Sequence, residues 1–486
     1  MLESENHKVF SAVKWSVFTE IGSKLLAPIT SMVLARVLAP EAFGVISSLS
    51  IVISFSEILA DAGFQRYMIQ HEFCGDDELR RSSQVAFWSN FICSCVLWII
   101  IAVFRDDLSA LVGSPGLGWP LLVAALAIPL SSLYSIPVAL LKRSLDFKSL
   151  FKVRIIGVCV PLLVTLPMAL YTHNYWALII GTLSCHLVTA VVLLGFFRWR
   201  PTFFFSWRCL KDMFSFSMWS MFESVSIWLA GYVDLFIVGN ALNQYYLGLY
   251  KTSTVVVTQI TGIVTSVTTP VLFAALSRLQ QDRKEFKKLF FRFQKLVALF
   301  VMPIGVSIYG YHDFVTRFVL GEQWLMAAEF LGLWGLSSTL VIVFCHSASE
   351  VYRSLGKPRL SALAQWLHII VLWPAVWWAV REGFETLYQV RTLVRLQSVL
   401  VNMAILWYAV KITPWMMIRN VLTIFVASLL LLGVILLFQS NHPTPLGEVV
   451  SMPVFALFFI GFLMIFPRER LLLTKVKPYL SQRFKK

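Results

Sequence analysis

The chain has 486 residues, of which 58% are hydrophobic and 14% are charged, and its formal net charge is +15. Its mean hydropathy of +0.75 excludes an ordinary soluble domain and indicates an all-α polytopic membrane protein. The positive charge does not imply a nucleic-acid partner. Most Lys and Arg residues lie between apolar stretches, where such residues set membrane topology.

Apolar stretches long enough to cross a membrane recur along the whole chain. A spanning helix needs about 20 apolar residues. Cutting the chain at its charged, Pro and Gly positions predicts about fourteen spans, at residues 12–35, 43–65, 84–104, 117–141, 155–171, 177–197, 213–240, 249–276, 296–312, 326–350, 361–380, 389–410, 420–438 and 448–467.

The Lys and Arg residues are divided unequally between the two sides of the membrane. Alternate assignment of the connecting segments places 32 of them on the side of the two termini, 4 on the opposite side and 5 within spans. The positive-inside rule then predicts that both termini are cytoplasmic. The polar start of the chain leads into a full-length apolar stretch, so we predict that the first span is not a cleaved signal peptide.

The first predicted span carries charged residues within its apolar length. Glu20 and Lys24 lie one helical turn apart, and Lys14 lies nearer the cytoplasmic end. Two interpretations stay open. Glu20 and Lys24 neutralise each other as an internal ion pair, or Lys24 faces a cavity and meets an anion.

The second predicted span carries its polar residues on one face. They recur at spacings of three, four, three and four, at Ser47, Ser50, Ser54, Glu57 and Asp61. This spacing aligns them along one side of a helix. Carboxylates inside a bilayer are costly unless they face water or a partner. The stripe therefore predicts a polar cavity.

Two basic connecting segments, residues 140–148 and 198–211, combine Lys and Arg with aromatic or aliphatic residues. Either segment would suit an amphipathic stretch that lies on the inner leaflet. The second segment joins two parts of the chain that are similar in length.

A shift of 204 residues aligns these two parts with each other. It places residues 43–45 on residues 247–249, and the stripe of the second span on Lys251, Thr254, Thr258, Thr261 and Thr265. Internal repeats are common in transporters. The sequence therefore predicts an N-lobe of six helices (1–205), a C-lobe of six helices (206–412), and two added helices with a basic cytoplasmic tail (413–486).

Two lobes whose polar stripes face each other would enclose a cavity near the membrane midplane, where transporters bind substrates. Four of the cations predicted within spans are our candidates for substrate binding: Lys24, Lys251, Arg391 and Arg395. A phosphate group suits them, because lysine meets it as a point charge and arginine through two parallel hydrogen bonds. Except for Lys24, they lie towards the outer ends of their spans, so extension to the membrane surface is the alternative.

Three embedded acids, Glu57, Asp61 and Glu223, are the candidates for coupling transport to proton exchange. A purely structural, hydrogen-bonded role is the alternative for each of them. We assign Ser54, Thr258 and Thr261 to the cavity wall.

The sequence predicts neither a cofactor nor catalysis. Its seven Cys residues are an odd number and lie in predicted helices or cytoplasmic segments, so we expect no disulfide framework and no metal site. Residues 356–358 (GKP) lack the other residues of a Walker A loop. The predicted extracytoplasmic connections are too short to hold a catalytic domain. We therefore predict that the protein is not an enzyme.

Several motifs resemble the N-terminal region of bacterial polysaccharide flippases. They are residues 34–44 (LARVLAPEAFG), 59–64 (LADAGF) and 68–70 (MIQ), with support from 141–148 (LKRSLDFK), 247–250 (LGLY) and 355–358 (LGKP). These are Wzx-type transporters of O-antigen and exopolysaccharide repeat units, in the multidrug/oligosaccharidyl-lipid/polysaccharide exporter superfamily. The resemblance implies a fourteen-helix fold of two lobes that opens alternately to each side of the bacterial inner membrane.

The resemblance also implies a cargo and partners. The cargo would be a short oligosaccharide linked by diphosphate to a polyprenol, moved from the cytoplasmic to the periplasmic leaflet for surface polysaccharide synthesis. Membrane lipids, and the polymerase and chain-length regulator of the same pathway, would be partners. The four cations fit the basic cavity expected for a diphosphate. Ser47 stands where the second lobe has Lys251, so the two lobes would contribute charge unequally.

Other functions stay open. A cation-coupled multidrug exporter belongs to the same superfamily and would favour an acidic cavity. A membrane-embedded glycan polymerase or ligase would require a large extracytoplasmic loop with catalytic Arg or His, which the predicted topology lacks. A non-transporting scaffold of a polysaccharide assembly complex is a third alternative.

Overall fold

The computed structural model describes residues 28–144, 146–196, 199–441 and 445–466, and these form helices and connecting segments without a β-strand. In chain order the α-helices are α1 (Pro28–Val37), α2 (Pro40–Asp61), α3 (Phe64–Gln70), α4 (Asp76–Val103), α5 (Arg105–Leu111), α6 (Gly118–Ala124), α7 (Ala127–Arg143), α8 (Phe147–Val160), α9 (Leu166–Thr172), α10 (Trp176–Phe196), α11 (Trp207–Ala241), α12 (Gln244–Arg278), α13 (Arg283–Gly310), α14 (His312–Val319), α15 (Ala328–Val341), α16 (Ser347–Ser354), α17 (Pro358–Ala379), α18 (Phe384–Val410), α19 (Pro414–Asn441) and α20 (Pro445–Met464).

Eleven segments of the described chain are helical, long and apolar enough to cross a membrane. They are Pro40–Asp61, Asp76–Val103, Gly118–Arg143, Phe147–Thr172, Trp176–Gly195, Ser224–Ala241, Arg283–Gly310, Glu322–Ser354, Arg359–Glu382, Phe384–Val410 and Pro414–Gln439. The predicted all-α polytopic class is confirmed. Three further predicted spans coincide with α1, described from Pro28 onwards, with α12 and with α20. The number fourteen stays a prediction.

The chain divides into two compact units, residues 1–252 with 369–387, and residues 253–368 with 388–486. This division follows spatial contacts, whereas the predicted lobes 1–205 and 206–412 follow sequence similarity. The two-lobe division stays a prediction, and each unit is described by itself.

Helix α2 lies inside the first unit, where it packs against α4, α7 and α11. Its apolar side carries Val45 and Leu49, which are buried with Leu121 and Ile128 in one hydrophobic cluster. The close packing of these apolar side chains stabilises α2 in its place in the unit. They also direct the polar stripe of the helix towards the interior of the bundle.

Helix α2 ends immediately after Asp61 because the next two residues adopt left-handed backbone conformations. Ala62 has φ 43° and Gly63 has φ 82°. The Ala62 N–H still donates to the Ile58 carbonyl at 3.1 Å. A left-handed alanine costs about 1–2 kcal/mol, so the surrounding packing must hold this turn. The turn places Asp61 at a helix end and starts α3.

The short helix α3 is capped by an arginine from a neighbouring helix. Arg143, the last residue of α7, donates from Nη1 to the carbonyl oxygens of Met68 (3.1 Å), Ile69 (3.4 Å) and His71 (2.6 Å). Its guanidinium also lies 4.6 Å from the ring centre of Phe73. A helix leaves its last carbonyls without intrahelical partners, and a cation there also favours the helix dipole.

Arg143→Gln is therefore expected to lower the thermal unfolding midpoint of the purified protein. Hydrogen bonds to a charged group contribute about 1.5–3 kcal/mol, and a glutamine amide cannot reach three carbonyls at once. The adjacent Lys142→Gln is the matched control, since that side chain is exposed. Equal midpoints for the two variants would show that the Arg143 cap adds no stability.

The second unit is organised around α13, which packs against α15 and α19. One large hydrophobic cluster includes the buried rings of Phe286, Phe290, Tyr311 and Tyr352. The Tyr311 hydroxyl lies 2.6 Å from the Ser451 hydroxyl of α20, which satisfies both polar groups inside the cluster. Helix α18 carries Arg391 and Arg395 along this unit.

Candidate functional site

The polar stripe of α2 bonds first to its own helix. Three of its serine hydroxyls donate to carbonyl oxygens four residues earlier: Ser47 to Phe43 (2.6 Å), Ser50 to Ile46 (2.6 Å) and Ser54 to Ser50 (2.5 Å). Such bonds satisfy the hydroxyl proton and leave the oxygen able to accept another bond. At Ser54 the Trp228 indole N–H of α11 donates to this oxygen at 2.9 Å.

Two cavities lie along the stripe within the first unit. The stripe cavity has a volume of about 230 Å³ and is lined by Ile46, Leu49, Ser50, Ile53, Ser54, Glu57, Ala124, Ala127, Ile179, Thr182, His186 and Tyr232. The acid cavity has a volume of about 240 Å³ and is lined by Glu57, Ala60, Asp61, Gln65, Asn90, Ser94, Ser131, Ser132, Tyr134 and Ser135. Glu57 lines both cavities.

The acid cavity contains a connected set of polar side chains from three helices. The Ser135 hydroxyl of α7 donates to Asp61 Oδ1 at 3.4 Å, and Asn90 of α4 donates to the Ser135 oxygen at 3.2 Å. Ser94 then donates to Asn90 Oδ1 at 3.3 Å. Ser131 is within hydrogen-bonding reach of Glu57. The cavity thus offers two carboxylates to a proton or a small cation, with hydroxyl and amide oxygens beside them.

A tyrosine and a histidine connect the walls of the two cavities. The Tyr134 hydroxyl, which lines the acid cavity, lies 2.8 Å from Nδ1 of His186, which lines the stripe cavity. Both groups can donate or accept according to the tautomer of the ring. This pair gives a short hydrogen-bonded path between the cavities.

Lys251 of α12 lies beside aromatic rings and a buried acid of the first unit. Its Nζ is 5.3 Å from the ring centre of Tyr232, which stacks on Trp228 at 5.4 Å. Asp234, 5% exposed, accepts a 2.8 Å hydrogen bond from the Tyr250 hydroxyl. The aromatic face and the nearby carboxylate both favour a charged ammonium group.

Arg391 and Arg395 lie together on α18 in the second unit, and both contact one indole ring. Their Cζ atoms are 5.2 Å and 3.8 Å from the ring centre of Trp334. Arg395 Nη1 also donates to the hydroxyls of Ser338 (2.8 Å) and Ser337 (3.2 Å). Arg391 is only 7% exposed, so its side chain is packed inside the unit. The structure therefore brings these two predicted cations together.

Two of the remaining predicted site residues, Thr258 and Thr261, lie on α12. Thr261 is buried and donates to the Val257 carbonyl at 2.8 Å, while Thr258 donates to Thr254 at 2.7 Å. Lys24 lies outside the described residues, as do Glu20 and Lys14. Glu223 lies on α11, but its side chain is not among those described.

A backbone contact between α2 and α12 was not predicted. A Cβ atom added to Gly44 would lie 1.8 Å from the main-chain oxygen of Gln244, and a Cβ added to Gly248 would lie 1.9 Å from that of Pro40. No side chain fits at either glycine. We call these four residues, Pro40, Gly44, Gln244 and Gly248, the glycine seam. The shift of 204 positions that aligns the two parts of the chain places Pro40 on Gln244 and Gly44 on Gly248.

The side chain of Gln244 fastens the glycine seam to a neighbouring turn. Its Nε2 donates to the Gly113 carbonyl at 2.8 Å and to the Ser114 hydroxyl at 2.7 Å. Its Oε1 accepts from the Ser48 hydroxyl at 3.1 Å. The matching glycines at positions 44 and 248 were a sequence signal for this contact, because close approach of two helices requires residues without side chains.

A family model described as polysaccharide biosynthesis protein matches residues 33–329 of the chain. A Klebsiella pneumoniae protein named uncharacterized membrane protein in cps region is 25% identical over 380 residues, 76% of this chain and 76% of its own length. The succinoglycan biosynthesis transport protein ExoT of Rhizobium meliloti (strain 1021) is 23% identical over 347 residues, 71% of this chain and 69% of its own length.

Among solved structures, the fold is similar to that of the lipid II flippase MurJ in an inward closed conformation. The TM-score is 0.77 at 14% sequence identity, and the match covers 94% of this chain and 100% of the other. At this identity the similarity concerns the fold alone, which is all-helical as predicted.

Proposed function

The chain belongs to the polysaccharide biosynthesis protein family, and from this membership we propose that it is a flippase for lipid-linked oligosaccharides. It moves a polyprenyl-diphosphate-linked repeat unit from the cytoplasmic to the periplasmic leaflet of a bacterial inner membrane, by alternating access and without catalysis. Both termini are cytoplasmic. The succinoglycan transport role in the name of one relative and the flippase role in the name of the similar structure support this proposal.

The observation that carries the proposal is a cavity with polar walls that lies between apolar helices. Glu57 and Asp61 share a cavity with Asn90 and four α7 side chains inside a bundle of membrane-spanning segments. Charged groups within membrane-spanning segments are expensive and are typical of substrate or ion pathways. A protein that only scaffolds an assembly would not need such a cavity.

The diphosphate of the substrate would be bound by Lys24, Lys251, Arg391 and Arg395 in our proposal. Arginine suits this role because its planar guanidinium meets two phosphate oxygens with parallel hydrogen bonds. Arg395 is already oriented by Trp334 and by two serine hydroxyls. Little side-chain freedom is then lost when a phosphate binds.

Arg395→Lys is expected to weaken binding of the lipid-linked diphosphate about tenfold or more, because lysine keeps the charge but not the two-pronged geometry. Radiolabelled lipid-linked oligosaccharide bound to the purified variant measures the effect. Arg381→Lys is the matched control, since that arginine also lies over a tryptophan, 5.1 Å from the Trp377 ring centre. Unchanged affinity in Arg395→Lys, with an unchanged thermal midpoint, would leave Arg395 a packing residue.

The two lobes, residues 1–205 and 206–412, would rock about their common axis, so that the cavity opens to one side of the membrane at a time. The added segment, residues 413–486, comes after the second lobe in the chain. The glycine seam supports this proposal because its two contacts are reciprocal, as expected for two related helices that meet across a two-fold axis. Contact of α2 with α12 at the glycine seam would close the substrate pathway at its extracytoplasmic end. Glu57, Asp61 and Glu223 are the proposed coupling acids, and Ser54, Thr258 and Thr261 belong to the proposed wall.

Reconstituted proteoliposomes test the function directly. Radiolabelled lipid-linked oligosaccharide should move to the opposite leaflet, where an added glycosidase or periodate can reach it, and empty liposomes should show no movement. Efflux of small cationic drugs without movement of the lipid would favour the multidrug exporter. Joining of repeat units by the purified protein would favour a polymerase or ligase.

A further inference from the structure

Residues 199–206, which lead into α11, are held by hydrogen bonds against the start of α4. The Gln84 side chain, 2% exposed, donates from Nε2 to the Arg200 carbonyl (2.9 Å) and accepts from the Thr202 N–H (2.7 Å). The Trp88 indole donates to the Thr202 carbonyl at 2.9 Å, and the Trp199 indole donates to the Ser83 hydroxyl at 2.9 Å. The segment is thus a fixed surface of the first unit.

The three consecutive phenylalanines of this segment point in alternate directions. Phe204 packs into the hydrophobic cluster of α3, α4 and α7, beneath the guanidinium of Arg81, which is 5.9 Å from its ring centre. Phe203 and Phe205 instead face outwards and are 84% and 45% exposed. A fixed segment that exposes two large rings leaves a costly apolar surface if water is its only neighbour.

The first turn of α11 continues this exposed surface. Trp207 is 74% exposed and its ring lies 5.9 Å from that of Phe205. Arg208 and Lys211, three residues apart and both exposed, follow on the same turn. Cations near the start of a helix oppose its dipole, so these two gain from a nearby anion. Within residues 199–212 the one acid is Asp212.

We propose that an aromatic and basic patch made of Arg81, Arg200, Phe203, Phe205, Trp207, Arg208 and Lys211 binds anionic phospholipids at the membrane surface. The rings would enter the boundary between headgroups and acyl chains, where aromatic residues are favoured. The cations would meet the lipid phosphates.

The location of the patch fits this occupant. It lies at the start of α4 and directly ahead of the predicted span 213–240 on α11, on the side that the Lys and Arg bias assigns to the cytoplasm. An acidic protein partner would satisfy the charges, but the adjoining spans place the exposed rings next to lipid. This inference does not depend on the transported substrate.

A fluorescent label on Thr202→Cys in a cysteine-free chain tests the proposal in vesicles of phosphatidylcholine with phosphatidylglycerol. Bromine is placed on the acyl chains of one lipid at a time, at equal amounts, and quenches a label that the brominated lipid contacts. We expect brominated phosphatidylglycerol to quench more than brominated phosphatidylcholine, with local enrichment of about fivefold for each cation engaged.

The combined variant Arg200→Gln, Arg208→Gln and Lys211→Gln should lose this preference while the label is still quenched by either lipid. The matched control replaces three exposed cations elsewhere, Arg283, Lys284 and Lys357, with glutamine and should keep it. Equal quenching by both lipids in the unmodified chain would overturn the choice of anionic lipid. Quenching by neither lipid would overturn the membrane contact itself and favour a protein partner.

Discussion

Gly248→Ala is expected to reduce export of the lipid-linked substrate strongly, although it adds only one methyl group. The added Cβ would lie 1.9 Å from the main-chain oxygen of Pro40, and the main chain of a helix cannot move aside as a side chain can. Overpacking of this kind costs about 1–3 kcal/mol, which corresponds to about 5- to 150-fold fewer molecules with a closed seam. A transporter that closes this end in every cycle would slow accordingly.

Helix propensity cannot explain such a loss, because alanine favours a helix over glycine by about 1 kcal/mol. Gly44→Ala should repeat the effect, since its Cβ would lie 1.8 Å from the Gln244 oxygen. Gly433→Ala in α19 is the matched control, because nothing lies within 4 Å of the Cβ it adds.

Thiol labelling separates an open seam from a misfolded protein. A cysteine replaces Val112 in a cysteine-free chain, which is then treated with a membrane-impermeant reagent. Val112 is 2% exposed and precedes Gly113, whose carbonyl accepts a hydrogen bond from the seam residue Gln244. Labelling from the extracytoplasmic side should rise in Gly248→Ala and stay low in Gly433→Ala. If both seam variants export and label as the unmodified chain does, the glycine seam is not a gate.

Glu57→Gln combined with Asp61→Asn is expected to lower transport about tenfold or more, equivalent to at least about 1.4 kcal/mol in the transport barrier. The two amides keep the shape of the acid cavity and of its bonds with Ser135 and Ser131, while they remove both titrating groups. A conformational change that is driven by protonation requires a group whose charge changes.

The measurement is lipid movement in proteoliposomes with and without an imposed pH gradient. The unmodified protein should respond to the gradient and the double variant should not. Asp212→Asn is the control, since Asp212 is exposed at the start of α11. Full, gradient-sensitive transport by the double variant would show that the acid cavity is structural.

Much of α2 could be predicted because its pattern is local. A spacing of three and four residues places Ser50, Ser54 and Glu57 on one side of any α-helix, and all three do line the stripe cavity. The pattern could not tell which helices close the other side of that cavity. Asn90, Tyr134 and His186 entered the site only through the packing of α4, α7 and α10.

The charged residues show the same limit. The sequence identified Arg391 and Arg395 as embedded cations one turn apart, but it left open that they extend to the membrane surface. Their common contact with Trp334 depends on a residue more than fifty positions away. Arg143 likewise lies 72 positions from His71, whose carbonyl it caps at the end of α3, so no local pattern could indicate this contact.

Composition and periodicity by themselves determined that this protein is an all-α membrane protein, and its motifs indicated the family. These properties depend on residue type and on neighbours within a few helical turns. Only the tertiary structure decided that Gly44 and Gly248 bring two main chains together, that Glu57 and Asp61 share one cavity, and that Gln84 fixes an aromatic surface. Each of these depends on atoms a few ångströms apart from segments far apart in the chain, where close packing and hydrogen-bond geometry select the partners.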